Sequence, residues 1–405
     1  MKRLRIGIIG IGGFGKEHLR LVEKAEDDGR AQLVAVAEKY PQANVSQVET
    51  LRSNGVQVYQ DYICMLDCEK LDAVTIATPI PFHYEMAIAA LERGIHVFLE
   101  KPPTVLIQEL LALKKKAKET KRICAVGFQQ IASTALRKLQ EYLVSGELGQ
   151  VKQVVGVGKW KRPDSYYERA NWAGRLMING TYVLDGPLSN PLSHVFNNCL
   201  FLASSKVGGF AAPKSVKAEF YRAHPIEGED TNAVFARTGN DVEVYFYSTV
   251  CAPIDETPHI KIYCTEGTAT FLRSYPPVVT IEKRNGKVEQ WEYPPEDENY
   301  LIFTNFLDGI AFDVPIYCSI EDTEPFVRGL NGAYLSARRV VPLPSEYVIR
   351  APEGNTVATT IADITQIMDQ ASEKRVLFSD FGVPWAVQTL LVEVEGLRDF
   401  ALSFQ

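Results

Sequence analysis

The sequence lacks the features that mark membrane-spanning and nucleic-acid-binding proteins. No window approaches the roughly 18 consecutive apolar residues that a membrane-spanning helix needs. Acidic side chains outnumber basic ones by 50 to 43, so the chain has a formal net charge of -7 at pH 7. This charge provides no diffuse attraction for nucleic acid or for an anionic membrane. We therefore expect neither a nucleic-acid partner nor a membrane partner.

Cysteine and histidine are scarce, and neither forms a pattern typical of a disulfide framework or a metal centre. The seven cysteines include no CxxC pair and mostly lie in apolar stretches, which indicates reduced, buried thiols. The six histidines, at positions 18, 83, 96, 194, 224 and 259, lack the spacing of metal ligands. We predict a cytoplasmic protein without a metal site.

Two domain types follow one another along the chain. The 405 residues exceed what one hydrophobic core usually supports. The basic and apolar N-terminus passes directly into a glycine motif, so we interpret it as a first strand and not as a secretion signal. Up to residue 128, short β-rich runs alternate with amphipathic segments, such as a predicted helix over 83–93 that Gly94 closes. We predict an α/β fold with an N-terminal Rossmann dinucleotide-binding domain over residues 1–128.

The pattern changes in the second half of the chain. Apolar residues there alternate with polar ones, as in 215–223 and 260–264, and Asn285-Gly286 forms a strong hairpin signal between two such runs. We predict an α+β domain over 129–345 with a large, mainly antiparallel open sheet. Residues 346–405 are expected to form a helical C-terminal extension whose placement the sequence does not define.

The first strand is followed by a glycine-rich motif in the context that a dinucleotide requires. The expected cofactor-binding residues of this motif are Gly10, Gly12, Gly13, Phe14 and Gly15. Gly10 permits a tight turn, Gly12 lets the backbone approach a pyrophosphate, and Gly15 allows close packing of helix and strand. At the end of the second strand, Glu38 is placed to accept hydrogen bonds from the adenosine ribose and to repel a 2′-phosphate. These residues favour NAD over NADP.

The segment ATPIPFHYEMAIAALERGIHVFLEKPP, residues 77–103, resembles the glucose-fructose oxidoreductase and inositol dehydrogenase family, Gfo/Idh/MocA. Further stretches up to residue 340 are also similar to this family. The resemblance implies a cis peptide before Pro102 and assigns more residues to the cofactor and substrate. Those assigned to the cofactor are Thr78, Pro79, His83, Glu100, Lys101 and Gln129, of which Lys101 and Gln129 also face the substrate.

Lys101 has a chemical rationale that does not depend on the resemblance. It follows a predicted strand and precedes a proline, at the edge where open α/β sheets bind ligands. Its ammonium group can donate to a substrate oxygen whose charge changes during hydride transfer. We therefore predict that Lys101 is catalytic.

Asn190 and His194 form the second catalytic hypothesis. The family motif that they resemble is Asp-x-x-x-His, with the histidine as general base, and here the aspartate is replaced by Asn190. A four-residue spacing predicts that both side chains lie on one helical face. Asparagine can orient a hydroxyl but supplies no charge to an imidazolium, and Asp185 is a candidate for partial compensation. A buried core histidine is the alternative interpretation of His194.

Residues 160–175 are rich in aromatic and arginine side chains, which suit the C–H faces and vicinal hydroxyls of sugars. The candidate substrate-binding residues in this segment are Tyr167, Arg169, Trp172 and Arg175. Ordinary loop packing explains the same composition.

These observations predict an NAD-dependent oxidoreductase that acts on a secondary alcohol of a sugar, cyclitol or sugar derivative. Two alternatives remain: a glycoside-cleaving enzyme that oxidises the sugar transiently, and a non-catalytic regulator that responds to NAD or sugar. We expect one face of the open sheet to be exposed and partly apolar, which favours a homodimer or homotetramer through that face.

Overall fold

The computed structural model of the chain describes residues 3–402, which form two compact units. The first unit comprises the residues up to Thr104 together with Gln108–Ala132 and Asp297–Thr323. The second comprises Val105–Ile107, Ser133–Glu296 and the residues from Glu324 onward. The segment over 297–323 therefore belongs to the first unit, although the sequence pattern assigned it to the second domain.

The helices of the described chain are short, and none has the length and apolar composition needed to cross a membrane. They are α1 (Gly15–Asp27), α2 (Val45–Ser53), α3 (Tyr62–Cys68), α4 (His83–Glu92), α5 (Ile107–Thr120), α6 (Thr134–Ser145), α7 (Ser193–Leu202), α8 (Glu298–Phe312), α9 (Glu324–Ala337), α10 (Ile364–Lys374) and α11 (Phe378–Phe381). The helix α4 ends before Gly94, whose φ of 71° confirms the predicted stop.

Six parallel strands form the sheet of the first unit. They are β1 (Leu4–Ile9), β2 (Ala31–Ala37), β3 (Gln57–Tyr59), β4 (Ala73–Ile76), β5 (His96–Leu99) and β6 (Cys124–Val126). Their order is β3-β2-β1-β4-β5-β6, so the direction of winding reverses between β1 and β4. Open α/β sheets bind dinucleotides at this reversal, and the predicted Rossmann topology is confirmed.

The second unit contains a large, mainly antiparallel sheet, as predicted. Its strands are β7 (Val151–Lys159), β10 (Pro213–Arg222), β11 (Thr231–Thr238), β12 (Glu243–Thr249), β13 (His259–Cys264), β14 (Gly267–Leu272), β15 (Val278–Lys283), β16 (Val288–Glu292), β17 (Val341–Pro342) and β20 (Val392–Glu393). Two small hairpins add β8 (Met177–Ile178) with β9 (Thr181–Tyr182), and β18 (Val348–Glu353) with β19 (Thr356–Ile361).

The order in the large sheet is β16-β15-β14-β13-β7-β12-β11-β10-β17, with β20 beside β10. Neighbouring strands are antiparallel except for the pairs β7–β12 and β10–β17. The hairpin predicted at Asn285-Gly286 joins β15 and β16, but its turn is not the expected two-residue primed turn, because Gly286 has a positive φ of 85° and Asn285 does not. The N–H of Lys283 donates to the carbonyl of Lys287, so the loop has three residues and ends with a glycine in the left-handed conformation.

One face of this sheet packs against α7 and α9. Gly156 of β7 lies under α7, where a Cβ atom would come 2.5 Å from Cys199 Sγ. The ring of Phe220 on β10 contacts Tyr334 of α9 at a centroid distance of 4.7 Å. The close approach of helix and sheet therefore depends on small and aromatic residues that face each other.

The opposite face is covered by the C-terminal extension, which corrects two expectations. The extension is not purely helical, since it contributes β18, β19 and β20 as well as α10 and α11. Its Phe378 and Trp385 pack against Tyr221 and Tyr247 of the sheet, with the Trp385 and Tyr221 rings 4.8 Å apart. The expectation that this face is exposed is therefore wrong over β7, β10, β11 and β12, because the chain buries these residues itself.

Replacing Phe378 with alanine should strongly destabilise the second unit. The side chain is fully buried, and removing a buried phenylalanine costs roughly 3–5 kcal/mol in the free energy of unfolding. Urea unfolding monitored by near-ultraviolet circular dichroism measures this loss. Leu390→Ala is the control, because Leu390 is 57% exposed and its truncation should change stability little. Equal stabilities of the two variants would contradict the role of the extension.

Candidate functional site

The glycine motif lies at the carboxyl end of β1, and its glycines have different structural roles. Gly10 has a φ of 85°. At Gly15 a Cβ atom would come 2.2 Å from the carbonyl oxygen of Gly10, so only glycine allows α1 to begin this close to the strand. At Gly12 the nearest protein atom to a Cβ would be Asn44 Nδ2 at 3.5 Å. The protein itself therefore leaves space at Gly12, where the sequence analysis expects a pyrophosphate.

Glu38 follows β2 directly and is 8% exposed. Its Oε2 accepts the backbone N–H of Ile11 at 3.1 Å, and its Oε1 accepts that of Tyr40 at 3.0 Å. A carboxylate has about four acceptor positions, so these two bonds fix its orientation without exhausting its capacity. Glu38 thus carries a negative charge to the end of β2, against the glycine motif.

These residues fit a bound dinucleotide. The helix α1 begins at Gly15, so its first backbone amides and the positive end of its dipole lie at the glycine motif. Gly13 and Phe14 are exposed there, with Phe14 at 48%. Together with the carboxylate of Glu38, they offer donors for a pyrophosphate and acceptors for a ribose.

His83 is fully buried and connects two of the predicted cofactor segments. Its Nδ1 and Nε2 lie 2.8 Å from the carbonyl oxygens of Pro102 and Thr78, respectively. Burial lowers the pKa of the imidazole below its ordinary value, and the neutral ring donates its one N–H to one of these two carbonyl oxygens at a time. The peptide bond between Lys101 and Pro102 is cis, as the resemblance implied. We conclude that His83 holds the loops after β4 and β5 together. Pro79, also predicted to contact the cofactor, is exposed in the loop after β4.

Glu100 holds the backbone of Lys101. Its Oε1 lies 3.0 Å from Nε2 of the buried His18, and its Oε2 accepts the backbone N–H of Lys101 at 3.2 Å. Gly127 is required beside it, because a Cβ there would come 2.7 Å from Glu100 Oε1. Gln129, two residues after Gly127, is half-buried and is the first residue of a short 3-10 helix. The sequence pattern did not indicate His18 as a site residue, although its position one turn into α1 brings it to the ends of the strands.

His194 is the second residue of α7 and is 7% exposed. Asn190 does not lie on the same helical face, which corrects the expectation drawn from the four-residue spacing. The helix begins only at Ser193, and Asn190 occupies the preceding turn, where its N–H donates to the Gly186 carbonyl at 2.9 Å. The physical reason is Pro191, since a residue that precedes proline is restricted from the helical conformation.

Asp185 brings a buried negative charge to Asn190. The Asp185 side chain is 2% exposed, and its Oδ1 accepts Nδ2 of Asn190 at 2.9 Å. Its Oδ2 accepts the backbone N–H of Gly174 at 2.7 Å and lies 3.5 Å from Nη2 of Arg169. The carboxylate therefore joins the turn before α7 to the aromatic segment 160–175.

The four residues predicted to bind substrate separate into two groups. The guanidinium of Arg169 stacks on the ring of Trp172 at 4.9 Å. Tyr167 and Arg175 instead line a cavity of about 560 Å³, in which Arg175 pairs with Glu227. The other lining residues are Asp164, Glu168, Ala170, Asn171, Ala173, Gly174, Pro225 and Ile226.

Glu229 is a buried acid that the sequence analysis missed. Its carboxyl group lies against Gly186, where a Cβ would come 2.1 Å from it, and Tyr334 donates to its Oε2 at 2.7 Å. Burial raises the pKa of Glu229 to about 8. No local spacing could have indicated this contact, because Tyr334 is distant in sequence.

Family models match both units. The model of the oxidoreductase family with an NAD-binding Rossmann fold, GFO_IDH_MocA, matches residues 4–128. The model of the GFO/IDH/MocA C-terminal domain matches residues 136–270, so the two together cover more than half of the chain. The chain belongs to the Gfo/Idh/MocA family. The resemblance noted from the motifs is thereby confirmed, as are the oxidoreductase class and the NAD-binding fold.

Several curated members of the Gfo/Idh/MocA family are similar over part of their length. The scyllo-inositol 2-dehydrogenase (NAD(+)) of Bacillus subtilis is 32% identical over 149 residues, which are 36% of this chain and 42% of that protein. The D-glucoside 3-dehydrogenase of Escherichia coli is 27% identical over 229 residues, 54% of this chain and 58% of that protein. The aligned part thus spans about half of each relative.

Solved structures of the family share the fold. The WlbA dehydrogenase of Bordetella pertussis, determined with NADH and UDP-GlcNAcA, aligns with a TM-score of 0.69 at 23% identity. The alignment covers 83% of this chain and 97% of that structure. At this identity the likeness extends to the architecture of the family and not to the ligand.

Two glycine substitutions should separate cofactor binding from folding. Gly12→Ala should leave the melting temperature nearly unchanged but weaken NAD binding by at least about tenfold, because the added methyl group meets no crowded protein atom and blocks the pyrophosphate. Gly15→Ala should lower the melting temperature without NAD, since its Cβ collides with the Gly10 carbonyl. Scanning fluorimetry and titration calorimetry measure the two effects. A Gly12→Ala protein that binds NAD normally would contradict this assignment.

Glu229→Gln should flatten the dependence of stability on pH. The pKa of Glu229 is raised by burial, so its contribution to stability is complete below pH 4.5 and is lost as the pH rises through about 8. Within that window the unfolding free energy should fall by up to about 1.4 kcal/mol per pH unit in the parent protein and less in the variant. Melting temperatures between pH 5 and pH 8 test this, with the exposed Glu282→Gln as the control. Parallel profiles for all three proteins would exclude titration of Glu229 in this range.

Proposed function

We propose that this chain is an NAD-dependent dehydrogenase that oxidises a secondary alcohol of a sugar, cyclitol or sugar derivative. The observation that carries the proposal is the placement of Lys101 at the carboxyl end of β5, with its backbone held by Glu100. Inositol and glucoside dehydrogenases among its relatives support the substrate class.

The proposed chemistry assigns one task to each of three side chains. Bound NAD supplies the acceptor for the hydride that leaves the alcohol carbon. The Lys101 ammonium donates to the substrate oxygen, and His194 accepts the hydroxyl proton. Asn190 orients the hydroxyl through its amide oxygen, since its Nδ2 donates to Asp185.

Asp185 supplies the negative charge that Asn190 lacks. Its carboxylate lies at hydrogen-bond distance from Asn190, in the turn that leads into the helix of His194. Through its bond to Asn190, this carboxylate is proposed to favour the imidazolium that forms on His194 after proton transfer. An aspartate at position 190 would instead meet the carboxylate of Asp185 at close range, and this repulsion explains asparagine there.

We further propose NAD as the preferred cofactor, because the Glu38 carboxylate would repel the 2′-phosphate of NADP.

Tyr167 and Arg175 are proposed to contact the sugar from the cavity that they line, and Arg169 and Trp172 to shape the segment beside it. None of the seven cysteines forms a disulfide, which supports the proposal of a cytoplasmic location.

Self-association is proposed to use the part of the sheet that the extension does not cover. The residues buried under the extension come from β7, β10, β11 and β12. Leu272 on β14 and Val288 on β16 are exposed. A homodimer or homotetramer through β14–β16 would cover these side chains.

A screen of absorbance at 340 nm tests the proposed function. The purified protein is incubated with NAD or NADP and a panel of sugars, inositols, sugar acids and glycosides. We expect NADH to form with at least one polyol and NADP to be a much poorer acceptor. Release of free sugar without accumulation of NADH would instead indicate glycoside cleavage. Tight NAD binding without any turnover would favour a regulator and contradict the proposal.

Substitution of the catalytic candidates then tests their roles. Lys101→Met and His194→Ala should each lower turnover on the identified polyol by roughly 10²–10⁴-fold, because each removes a group that acts on the reacting oxygen or its proton. The dissociation constant for NAD should change little. Lys115→Met on the exposed side of α5 and His259→Ala on β13 are the matched controls. Full activity of either catalytic variant would exclude the assigned role.

A further inference from the structure

Three side chains with metal-binding groups meet at one end of the large sheet. His224 follows β10, Asp230 precedes β11 and Cys251 follows β12, and these strands are adjacent in the order β12-β11-β10. Their exposed fractions are 2%, 0% and 0%, respectively. One potential ligand atom from each residue lies within 4.8 Å of the others. Five residues separate His224 from Asp230, and the strands β11 and β12 separate Asp230 from Cys251, so the cluster forms only through the pairing of the strands.

The distances are close to those of a metal centre. Nδ1 of His224 lies 2.9 Å from Oδ2 of Asp230 and 3.3 Å from Sγ of Cys251. Zinc bonds of about 2.0–2.3 Å in a tetrahedral site place ligand atoms roughly 3.3–3.7 Å apart. Movements of a few tenths of an ångström would therefore convert this cluster into a zinc site. Imidazole, carboxylate and thiolate are all established zinc ligands.

The surroundings of His224 match those of a metal-binding histidine. Its Nε2 lies 3.0 Å from the carbonyl oxygen of Arg162, so Nε2–H donates there and the Nδ1 lone pair faces Asp230 and Cys251. A histidine that binds a metal usually donates its other ring N–H to a backbone carbonyl or a carboxylate in this way. At 2.9 Å, Nδ1 and the carboxylate oxygen must share either a proton or a metal ion.

Asp230 provides an independent indication. Its Oδ2 accepts the backbone N–H groups of Ala223 and His224 at 2.7 and 2.8 Å. Its Oδ1 is buried and has no hydrogen-bond partner among residues 3–402. Leaving a charged oxygen buried without a partner is costly. A second proton on His224 would satisfy Oδ2 but would leave Oδ1 without a partner, whereas a metal ion bound to both oxygens satisfies the whole carboxylate.

We propose that His224, Asp230 and Cys251 bind a zinc ion. The ligands are Nδ1, Sγ and the carboxylate, whose two oxygens are too close together to fill two tetrahedral positions. Because all three residues are buried, we assign the ion a structural role. It fixes the loop over 223–230, which contributes Pro225, Ile226 and Glu227 to the cavity of Tyr167 and Arg175. The carbonyl of Cys251 also accepts the N–H of Ile361, so the ion stabilises the attachment of the C-terminal extension.

Metal analysis of the full-length chain tests the site without any assay of turnover. The protein is expressed with added zinc, freed of any affinity tag, dialysed against a weak chelator and analysed by mass spectrometry for metal content. We expect one zinc ion per chain in the parent protein. Cys251→Ser and Asp230→Asn should reduce this content at least about tenfold, and the exposed Cys68→Ser should retain it.

Cobalt replacement distinguishes loss of the ligand from loss of the fold. A chain loaded with Co²⁺ should show a thiolate-to-cobalt charge-transfer band that is present in Cys68→Ser and absent from Cys251→Ser. Circular dichroism establishes that each variant is folded. Zinc should also raise the melting temperature of the parent protein but not of Asp230→Asn. A folded parent protein that takes up neither ion, or a Cys251→Ser variant that retains zinc and the band, would overturn the proposal.

Discussion

A buried carboxylate must find a partner for each of its oxygens, and Asp185 finds them in two different segments of the second unit. One oxygen bonds to the side chain of Asn190, immediately before the helix of His194, and the other to the backbone of Gly174 in the aromatic segment. The position of the proposed base and the shape of the cavity beside Tyr167 therefore depend on the same side chain. This arrangement also explains why position 190 is asparagine, because two carboxylates at this distance would repel each other.

The second constraint is the large sheet, whose alternating strands present apolar side chains on both faces. The helices α7 and α9 cover one face, and the C-terminal extension covers much of the other, so the chain itself buries tyrosine and valine residues that would otherwise require a partner. The extension begins beyond the residues that the family model matches, and it contacts Cys251 of the proposed zinc site through Ile361. The extension that covers the sheet, the loop at the proposed zinc site and the cavity beside Tyr167 are therefore connected within the second unit.

Local patterns predicted the elements of the first unit because its chemistry is local in sequence. The glycine motif, Glu38 and the Glu100-Lys101-Pro102 triplet each follow a strand, and parallel strands bring their carboxyl ends to one edge. The patterns failed where distant residues meet or where a helix starts later than expected. Because of Pro191, α7 starts only at Ser193, so Asn190 lies outside the helix.

Two buried groups also depend on contacts between residues that are distant in sequence. Glu229 is buried against Tyr334. The cluster of His224, Asp230 and Cys251 forms only when the strands pair. The packing of residues 346–402 likewise depends on which sheet residues remain uncovered, which a sequence pattern does not define.

The most direct test of the account exchanges the charge between Asp185 and Asn190. The pH dependence of kcat/KM is measured with NAD and the identified polyol for Asp185→Asn, Asn190→Asp and the double variant. We predict that each single variant loses activity, the first because the carboxylate is removed and the second because two carboxylates face each other. The double variant restores one carboxylate and should recover much of kcat/KM. A double variant no more active than either single variant, or an unimpaired Asp185→Asn protein, would contradict the role assigned to Asp185.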